Sequence, residues 1–264
     1  MKLAASVALV VVISAPAFCA DLVITKAKHK DAVQLGPFGK PAEDTTEISW
    51  IGKDRMRCEE GDRVVLVRPD LKKMYMLDMR AKTVSAIELP LDMKHYLPPS
   101  MLSKLGAMLE KAKAALTPTT ETKKFKDWNA TKYTMAETTV MGVGFTHEIW
   151  ATKDVQIDRT AFDELSSAMM SLVIGGATMA AEYKKVEGLP VLVQRTQTME
   201  TGGTVKSREE VTLVESKDAP EGWYDVPKDF IEKPYQALSD GPSLRGTRSG
   251  QPAGPPPAEK SKAK

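Results

Sequence analysis

ISWIGKDRMRCEEGDRVVLVRPDLKKMYMLDMRAKTVSAIEL, residues 48–89, is the stretch that decides the fold. Its short apolar runs are separated by four turn sequences, most of which contain Gly, Pro or Asp. These turn sequences are Gly52-Lys53-Asp54, Glu60-Gly61-Asp62, Pro69-Asp70-Leu71 and Met79-Arg80-Ala81. Short β-rich runs separated by turn signals predict a β-meander of antiparallel strands.

The two middle strands of this meander, residues 63–68 and 73–79, are apolar on both faces. Side chains alternate between the two faces along a strand, so Val64 and Leu66 point one way while Val65 points the other. A strand with this pattern is covered on both sides, or it lines a cavity on one of them. The pattern therefore predicts that other elements pack against the meander.

The chain contains two cysteines, Cys19 and Cys58. Cys58 alternates with Met56 on the apolar side of its strand, while arginine and glutamate occupy the other side. If Cys19 is removed with a leader, Cys58 has no partner for an intramolecular disulfide. We expect a buried core cysteine, because no histidine or metal-ligand spacing accompanies it.

Residues 1–20 have the pattern of a signal peptide, with a positive start, an apolar core and small residues near the end. Cleavage after Ala17 or after Ala20 fits the pattern, and the choice stays open. Acylation of Cys19 is an alternative, but the bulky Phe18 before it argues against a lipid anchor. We expect an exported, periplasmic protein.

The 264 residues are 42% hydrophobic, which suffices for the core of one large β-rich domain over residues 21–235. The formal net charge is only +2, without a basic cluster, so nucleic-acid binding is not expected. Residues 236–264 are rich in Gly, Pro, Ser and Lys and predict a flexible tail. We expect a monomer without a transmembrane span in the mature chain.

The hydrophobic period changes to that of a helix after residue 97. The apolar residues at helical spacing are Met101, Leu105, Met108, Leu109, Ala112 and Leu116. They predict an amphipathic helix of about four turns, which starts at Pro98-Pro99 and ends before Pro118. We expect this helix to pack on the sheet, with a movable lid or a membrane-surface helix as alternatives.

Residues 160–185 predict a second helix. No charge occurs between Glu164 and Glu182, but this run is short for a membrane span and contains Ser, Thr and Gly. The pair Gly175-Gly176 predicts a bend or a break. We expect a helix that is buried or faces a cavity.

The other alternating runs predict strands. They cover residues 21–29, 123–128, 131–139 and 145–152, and a hairpin of residues 189–201 and 204–216. The pair Gly142 and Gly144 marks a hairpin turn and lacks the spacing of a phosphate loop. A short segment, residues 223–234, follows the last hairpin.

No catalytic constellation is recognisable. The histidines His29, His95 and His147 lie on unrelated segments, without a nucleophile motif near them. His147-Glu148 lacks the second histidine that a zinc-protease helix requires. We therefore expect a protein that is not an enzyme and has neither a cofactor nor a metal site.

Several short motifs, in this order, carry a resemblance. They are Trp50 with Asp54-Arg55-Met56-Arg57, the run Val67-Arg68-Pro69-Asp70-Leu71-Lys72-Lys73-Met74-Tyr75, His147-Glu148-Ile149-Trp150-Ala151, Glu187-Gly188-Leu189-Pro190-Val191, and Val226-Pro227. They span most of the mature chain, which resembles the periplasmic lipoprotein-carrier fold (LolA/LolB-like). More closely, it resembles an exported bacterial domain-of-unknown-function family of that fold group. The resemblance implies an α+β fold, in which two helices cover the concave face of a curved antiparallel sheet, a half-barrel.

The fold group also implies an apolar cavity for acyl chains and no catalytic residues. On this basis we expect a periplasmic carrier or binding protein for a lipid, an acyl chain or a lipoprotein. The residues expected to line its cavity are Trp50, Met56, Leu66, Met74, Met76, Leu105, Met108, Met169 and Leu172. The chain contains 14 methionines, whose flexible thioethers suit acyl surfaces, although core filling would explain them equally well.

A second hypothesis makes the chain an envelope interaction protein. It would dock a protein partner through a sheet face or an exposed strand edge. The polar contacts would come from Arg55, Arg57, Arg63 and Arg68, which would otherwise form a solvated face. A dry apolar surface beneath the helices would favour the carrier, whereas a filled interior would favour docking.

Overall fold

A computed structural model describes residues 20–33, 39–198 and 203–236 of the chain. The predicted signal peptide, apart from Ala20, lies outside these residues. So does the predicted tail, apart from Gln236.

The described residues form twelve strands and three α-helices. The strands are β1 (Asp21–Lys30), β2 (Glu43–Ile51), β3 (Met56–Glu60), β4 (Arg63–Arg68), β5 (Lys73–Asp78), β6 (Thr83–Glu88), β7 (Lys113–Phe125), β8 (Trp128–Thr138), β9 (Gly144–Thr152), β10 (Leu189–Thr198), β11 (Thr204–Lys217) and β12 (Ile231–Glu232). The helices are α1 (Pro99–Lys111), α2 (Arg159–Met170) and α3 (Gly176–Tyr183).

All of these strands belong to one open sheet, in the order β12-β6-β5-β4-β3-β2-β1-β11-β10-β9-β8-β7. Every neighbouring pair is antiparallel except β12 and β6, which are parallel. The fold is therefore α+β, with a large antiparallel-rich sheet, as expected. In the described chain, β7 and β12 form the two edges.

The predicted meander is confirmed as β2 to β6, with its turns at the four expected sequences. Neighbouring residues of adjacent strands point to the same face, which defines rows of side chains across the sheet. One such row contains Ile51, Met56, Val67, Met74 and Ile87.

The two faces of the meander meet different partners, as the two-sided apolar pattern predicted. On one face, here called the helix face, Met56 and Met74 pack with Leu105, Leu165 and Leu172 of the helical region. Burial of each such side chain stabilises the fold by about 1.5–3 kcal/mol.

On the opposite face, Val64, Leu66, Leu77 and Val84 form a separate cluster. Val226 and Phe230 pack against it. The cover on this face is the chain's own C-terminal segment, defined here as residues 219–235.

Polar contacts fix this C-terminal segment to the sheet. Arg57 Nη1 donates a hydrogen bond to the Trp223 carbonyl at 3.0 Å, and its guanidinium lies 4.3 Å from the Trp223 ring centre. The Tyr224 hydroxyl donates to Asp21 at 2.6 Å. Beyond β12, Tyr235 is buried in the helix-face core beside Tyr96, so the segment passes around the β6 edge.

The first predicted helix is too long at its C-terminal end. It ends at Lys111, and Leu116 lies in β7 opposite Met135 of β8. The prediction ran too far because Leu116, a residue of β7, happens to continue the helical spacing of the apolar residues in α1. Pro118 is tolerated in β7 because β7 is an edge strand with a register shift at that residue.

Local backbone conformation explains two further element boundaries, one that differs from the prediction and one that agrees with it. Residues 123–128 are not one strand, because Lys126 has φ 50° and turns the chain between β7 and β8. The predicted break of the second helix is confirmed: Gly175 has φ 82° and separates α2 from α3. A Cβ at Gly176 would lie 2.0 Å from the Met170 carbonyl oxygen, so the glycine permits this tight junction.

Candidate functional site

A cavity of about 350 Å³ lies between the helix face of the sheet and the helices α2 and α3. Apolar side chains line it from both sides. From the sheet come Ile24, Ile51, Met56, Leu189, Val193 and Val211, and from the helices Phe162, Met170 and Met179. This first cavity therefore has apolar side chains on both walls, and charged side chains, among them Lys26, Arg159, Asp163, Lys184 and Glu209, line it as well.

A second cavity, of about 550 Å³, extends over the meander. It shares Arg195, Ser207 and Glu209 with the first cavity, so the two adjoin there. Its apolar side chains include Met76, Met169 and Leu172. Charged side chains line both cavities and are more numerous in the second.

A row of charged side chains crosses the helix face at these cavities. This polar row consists of Glu137, His147, Arg195, Glu209, Lys28, Lys26, Glu47 and Glu60, on strands β8, β9, β10, β11, β1, β2 and β3. Charged groups beneath covering helices are costly unless they are paired. The row is therefore the most unusual feature of this face.

Three ion pairs hold one end of the row. Lys26 Nζ lies 2.8 Å from Glu47 Oε1, and Lys28 Nζ lies 3.2 Å from Glu47 Oε2. Lys28 Nζ also lies 3.0 Å from Glu60 Oε2. Burial alone would raise the pKa of Glu47, but the charges of Lys26 and Lys28 outweigh it and lower this pKa to about 2. Burial alone would lower the pKa of Lys26, but the charges of Glu47 and Glu209 outweigh it and raise this pKa.

Glu137 holds the other end of the row. Its Oε2 lies 2.7 Å from His147 Nε2 and accepts a hydrogen bond from Arg195 Nη2 at 3.0 Å. Burial would raise the pKa of Glu137, but the hydrogen bond from His147 and the charge of Arg195 lower it. Tyr183 of α3 covers this region, and burial, reinforced by Glu209 and Glu137, raises the pKa of its hydroxyl.

Cys58 is a free, buried cysteine beside the polar row, in agreement with the prediction. The Ser49 hydroxyl donates a hydrogen bond to its Sγ at 3.6 Å. Burial and the neighbouring charge of Glu47 raise the pKa of the thiol to about 12. The thiol is therefore protonated at neutral pH and is a poor nucleophile.

The structure distributes the nine residues expected to line a cavity among different places. Met56 lines the first cavity, and Met76, Met169 and Leu172 line the second. Met74 and Leu105 are buried in the helix-face core. Met108 is partly buried on α1 and lines neither cavity.

Trp50 and Leu66 lie on the opposite face, which corrects their expected place. Both share a row with Arg57, since Trp50 pairs with Arg57 and Arg57 with Leu66. Leu66 is covered by the C-terminal segment, and the Trp50 ring lies 5.4 Å from that of Trp223. The loop between β2 and β3 shifts the alternation by one residue, so even-numbered residues of β2 and of β3 lie on opposite faces. Alternation within one strand therefore does not predict the faces of the next.

The polar row was not anticipated from the sequence. A signal for it exists, because Lys26 and Lys28 alternate in phase with the buried Ile24. In the same way, Glu47 alternates in phase with Ile51. Charges in phase with apolar residues on two strands indicate a polar site on a covered face.

The four arginines of the docking hypothesis do not form one free surface. Arg57 and Arg68 donate hydrogen bonds to the carbonyl groups of Trp223 and Tyr224 in the C-terminal segment, at 3.0 Å each. Arg63 lines the second cavity on the other side of the sheet. A partner would therefore have to displace the chain's own segment to use this arginine pattern.

The described residues contain neither a metal-binding cluster nor a membrane-spanning helix. No group of three or more His, Cys, Asp or Glu side chains there is placed to hold a metal ion. None of the helices within these residues has the length and apolar character to cross a membrane.

Comparisons with known proteins give structural similarity only. No protein-family model matches the sequence, and no curated protein matches it. The fold is similar to that of PNGF-II, with a TM-score of 0.40 and 15% identity over 81% of this chain and 31% of that chain. It is similar to MucB, with a TM-score of 0.34 and 12% identity over 80% of this chain and 58% of that chain.

A third similar structure is a putative outer membrane lipoprotein-sorting protein domain from Vibrio parahaemolyticus. Its TM-score is 0.29, with 8% identity over 78% of this chain and 89% of that domain. The chain thus spans about a third of the length of PNGF-II and somewhat more than half of that of MucB.

Proposed function

We propose that this chain is an exported, non-catalytic binding or carrier protein that holds an acyl chain of a lipid or lipoprotein in the first cavity. The observation that carries the proposal is the set of apolar side chains that face each other across this cavity, Ile24, Met56 and Leu189 from the sheet and Phe162, Met170 and Met179 from the helices. Its volume of about 350 Å³ falls within the range of small-molecule sites, about 300–1,000 Å³.

Methionines on facing walls support an acyl ligand. Met56 projects from the sheet, and Met170 and Met179 project from α2 and α3. The flexible thioether side chain adapts to an irregular apolar surface at little cost in strain. A cavity of this lining suits a chain that bends, more than it suits a rigid aromatic ligand.

The helical cover is anchored at one end. Asp158 caps α2 by accepting a hydrogen bond from the Ala161 amide at 3.0 Å. Arg159 Nη1 donates to the Gly188 carbonyl at 2.8 Å, which fixes the start of α2 beside the start of β10. The wall formed by α2 is therefore fixed relative to the sheet near Phe162.

The leader pattern of residues 1–20 supports export to the periplasm. The motif order that resembles an exported bacterial domain-of-unknown-function family supports the same location. In this proposal the protein works as a monomer and meets its ligand in the envelope.

The experiment is to express the chain with its leader, purify it from the periplasm and extract it with organic solvent. We expect stoichiometric lipid by mass spectrometry, and saturable binding of N-phenyl-1-naphthylamine to the extracted protein. Met170→Glu should abolish probe binding, because it places a charge on the apolar wall. Met141→Glu is the matched control, because Met141 is 73% exposed in the β8–β9 turn. Lipid-free extracts, together with no binding of the probe by the wild type, would refute the proposal.

A further inference from the structure

Arg195 lies at the junction of the two cavities and has donor capacity to spare. Its Nη2 donates to Glu137, and its guanidinium carbon lies 3.5 Å from the centre of the Phe145 ring. These two contacts hold the planar group in place. Nε is buried and can only donate, yet it has no acceptor among the residues that the structure describes. A ligand with acceptor atoms would use the remaining donors of a group that is already ordered.

His147 lies beside Arg195 and is only 3% exposed. Its Nε2 faces the Glu137 carboxylate, which when ionised can only accept, so Nε2 is the donor of that bond. Its Nδ1 is buried without a hydrogen-bond partner in the described part of the chain. His147 also lines the first cavity, close to the apolar walls. With the proton on Nε2, Nδ1 is an acceptor, so the donors where the apolar cavity meets the polar row come from Arg195.

The charge around the two cavities favours an anion. Among the described residues that line them, ten are Lys or Arg and six are Asp or Glu. This excess of four cations is larger than the net charge of +2 of the whole chain. The lining is therefore more positive than the average composition of the protein would give.

The carboxylates of the polar row are unequally placed. Glu47 and Glu60 are paired with Lys26 and Lys28, and Glu137 is engaged by Arg195 and His147. Glu209 lines both cavities and would repel an anion placed against it. The place for a negative group is thus on the Arg195 side of the junction.

Resting on the proposed function, we propose that the ligand is a single-chain amphiphile with an anionic head, of the fatty-acid type. Its carboxylate accepts hydrogen bonds from Arg195, and its acyl chain lies between the apolar walls of the first cavity. A single chain suits a volume of about 350 Å³, at the low end of the range for ligand sites.

The test compares three probes that differ only in the head group: dodecanoate, dodecanol and dodecyltrimethylammonium. Each is titrated calorimetrically into the delipidated mature chain, below its critical micelle concentration. Since a hydrogen bond to a charged group has a substantial net value, dodecanoate should bind at least about tenfold more tightly than dodecanol. The cationic probe should bind most weakly.

Substitutions assign the head group to its site. Arg195→Gln should reduce dodecanoate affinity to that of dodecanol, while dodecanol affinity stays unchanged. Glu209→Gln should strengthen dodecanoate binding, because it removes a repulsive charge. Arg80→Gln is the matched control, since Arg80 is exposed in the turn between β5 and β6 and lines neither cavity.

The outcomes separate this inference from the function on which it rests. Equal binding of the three probes, unaffected by Arg195→Gln, would overturn the anionic head and leave the acyl-binding function in place. No binding of any probe would overturn both. If Arg195→Gln fails to fold by circular dichroism, the ranking of the three probes on the wild type and on Glu209→Gln decides the question.

Discussion

Replacement of Glu47 by Gln should destabilise the protein strongly, although the amide has nearly the same shape as the carboxylate. Glu47 pairs with both Lys26 and Lys28, and the side chain of Glu47 is 12% exposed. The pKa of Glu47 falls from 4.5 to about 2. At about 1.36 kcal/mol per pKa unit, this corresponds to about 3 kcal/mol of stability at neutral pH. Removal of one partner from a buried ion pair gives a similar magnitude, about 3–5 kcal/mol.

The same pair predicts how stability depends on pH. Because the folded pKa of Glu47 is depressed, its contribution is fully present above about pH 4.5 and is lost as the pH falls toward 2. Between pH 7 and pH 3 the wild type should lose about 2 kcal/mol through this group alone. In Glu47→Gln that part of the pH dependence should be absent, because the amide does not titrate.

Urea unfolding followed by circular dichroism, at pH 7 and pH 3, measures both effects. The matched control is Glu187→Gln, which breaks the pair of Glu187 with Lys153. Both side chains of that pair are more than 60% exposed, so its loss should change the free energy of unfolding little. If Glu47→Gln at pH 7 is no less stable than Glu187→Gln, the buried ion pair does not stabilise the fold as argued.

Three further predictions concern other parts of the molecule. Arg57→Ala should lower the free energy of unfolding by about 2–3 kcal/mol, because it removes a charged hydrogen bond and the stacking on Trp223; an unchanged urea midpoint would contradict a fixed C-terminal segment. Gly188→Ala should lower the melting temperature more than Gly142→Ala does. Both glycines have positive φ, but only a Cβ at Gly188 would meet a backbone oxygen, at 2.1 Å. Equal melting temperatures of the two variants would exclude that clash. At pH 8, Cys58 should react with a thiol reagent much more slowly in the native than in the unfolded protein, because it is 7% exposed where it lines the second cavity and its pKa is about 12; equally rapid labelling of the two states would show an accessible thiol.

The sequence predicts the meander well because its signals are local. Each turn between β2 and β6 carries its own turn residues, and Gly61, for example, adopts φ 57° in the structure. The helix break at Gly175 is local in the same sense. Alternation within β4 and β5 likewise predicted that both faces of these strands are covered.

The parts that the sequence does not predict depend on pairing between distant strands. Alternation would place the even-numbered residues Trp50 and Met56 on the same face. They point to opposite faces because a loop separates β2 from β3. The polar row forms only when β1 lies between β2 and β11, which brings Lys28 beside Glu209. At Leu116 a local signal gave the wrong element. The helical spacing predicted a helix there, but the residue pairs with β8 as part of a strand.

The position of β1 and of the C-terminal segment has a consequence for biogenesis. β1 pairs with β11, and the cover of Leu66 comes from residues after β11, so both contacts require the end of the domain. A chain whose C-terminal part has not yet been synthesised lacks these partners, and its first strand and its meander stay incomplete. Folding is thereby deferred until nearly all of residues 21–235 have left the ribosome.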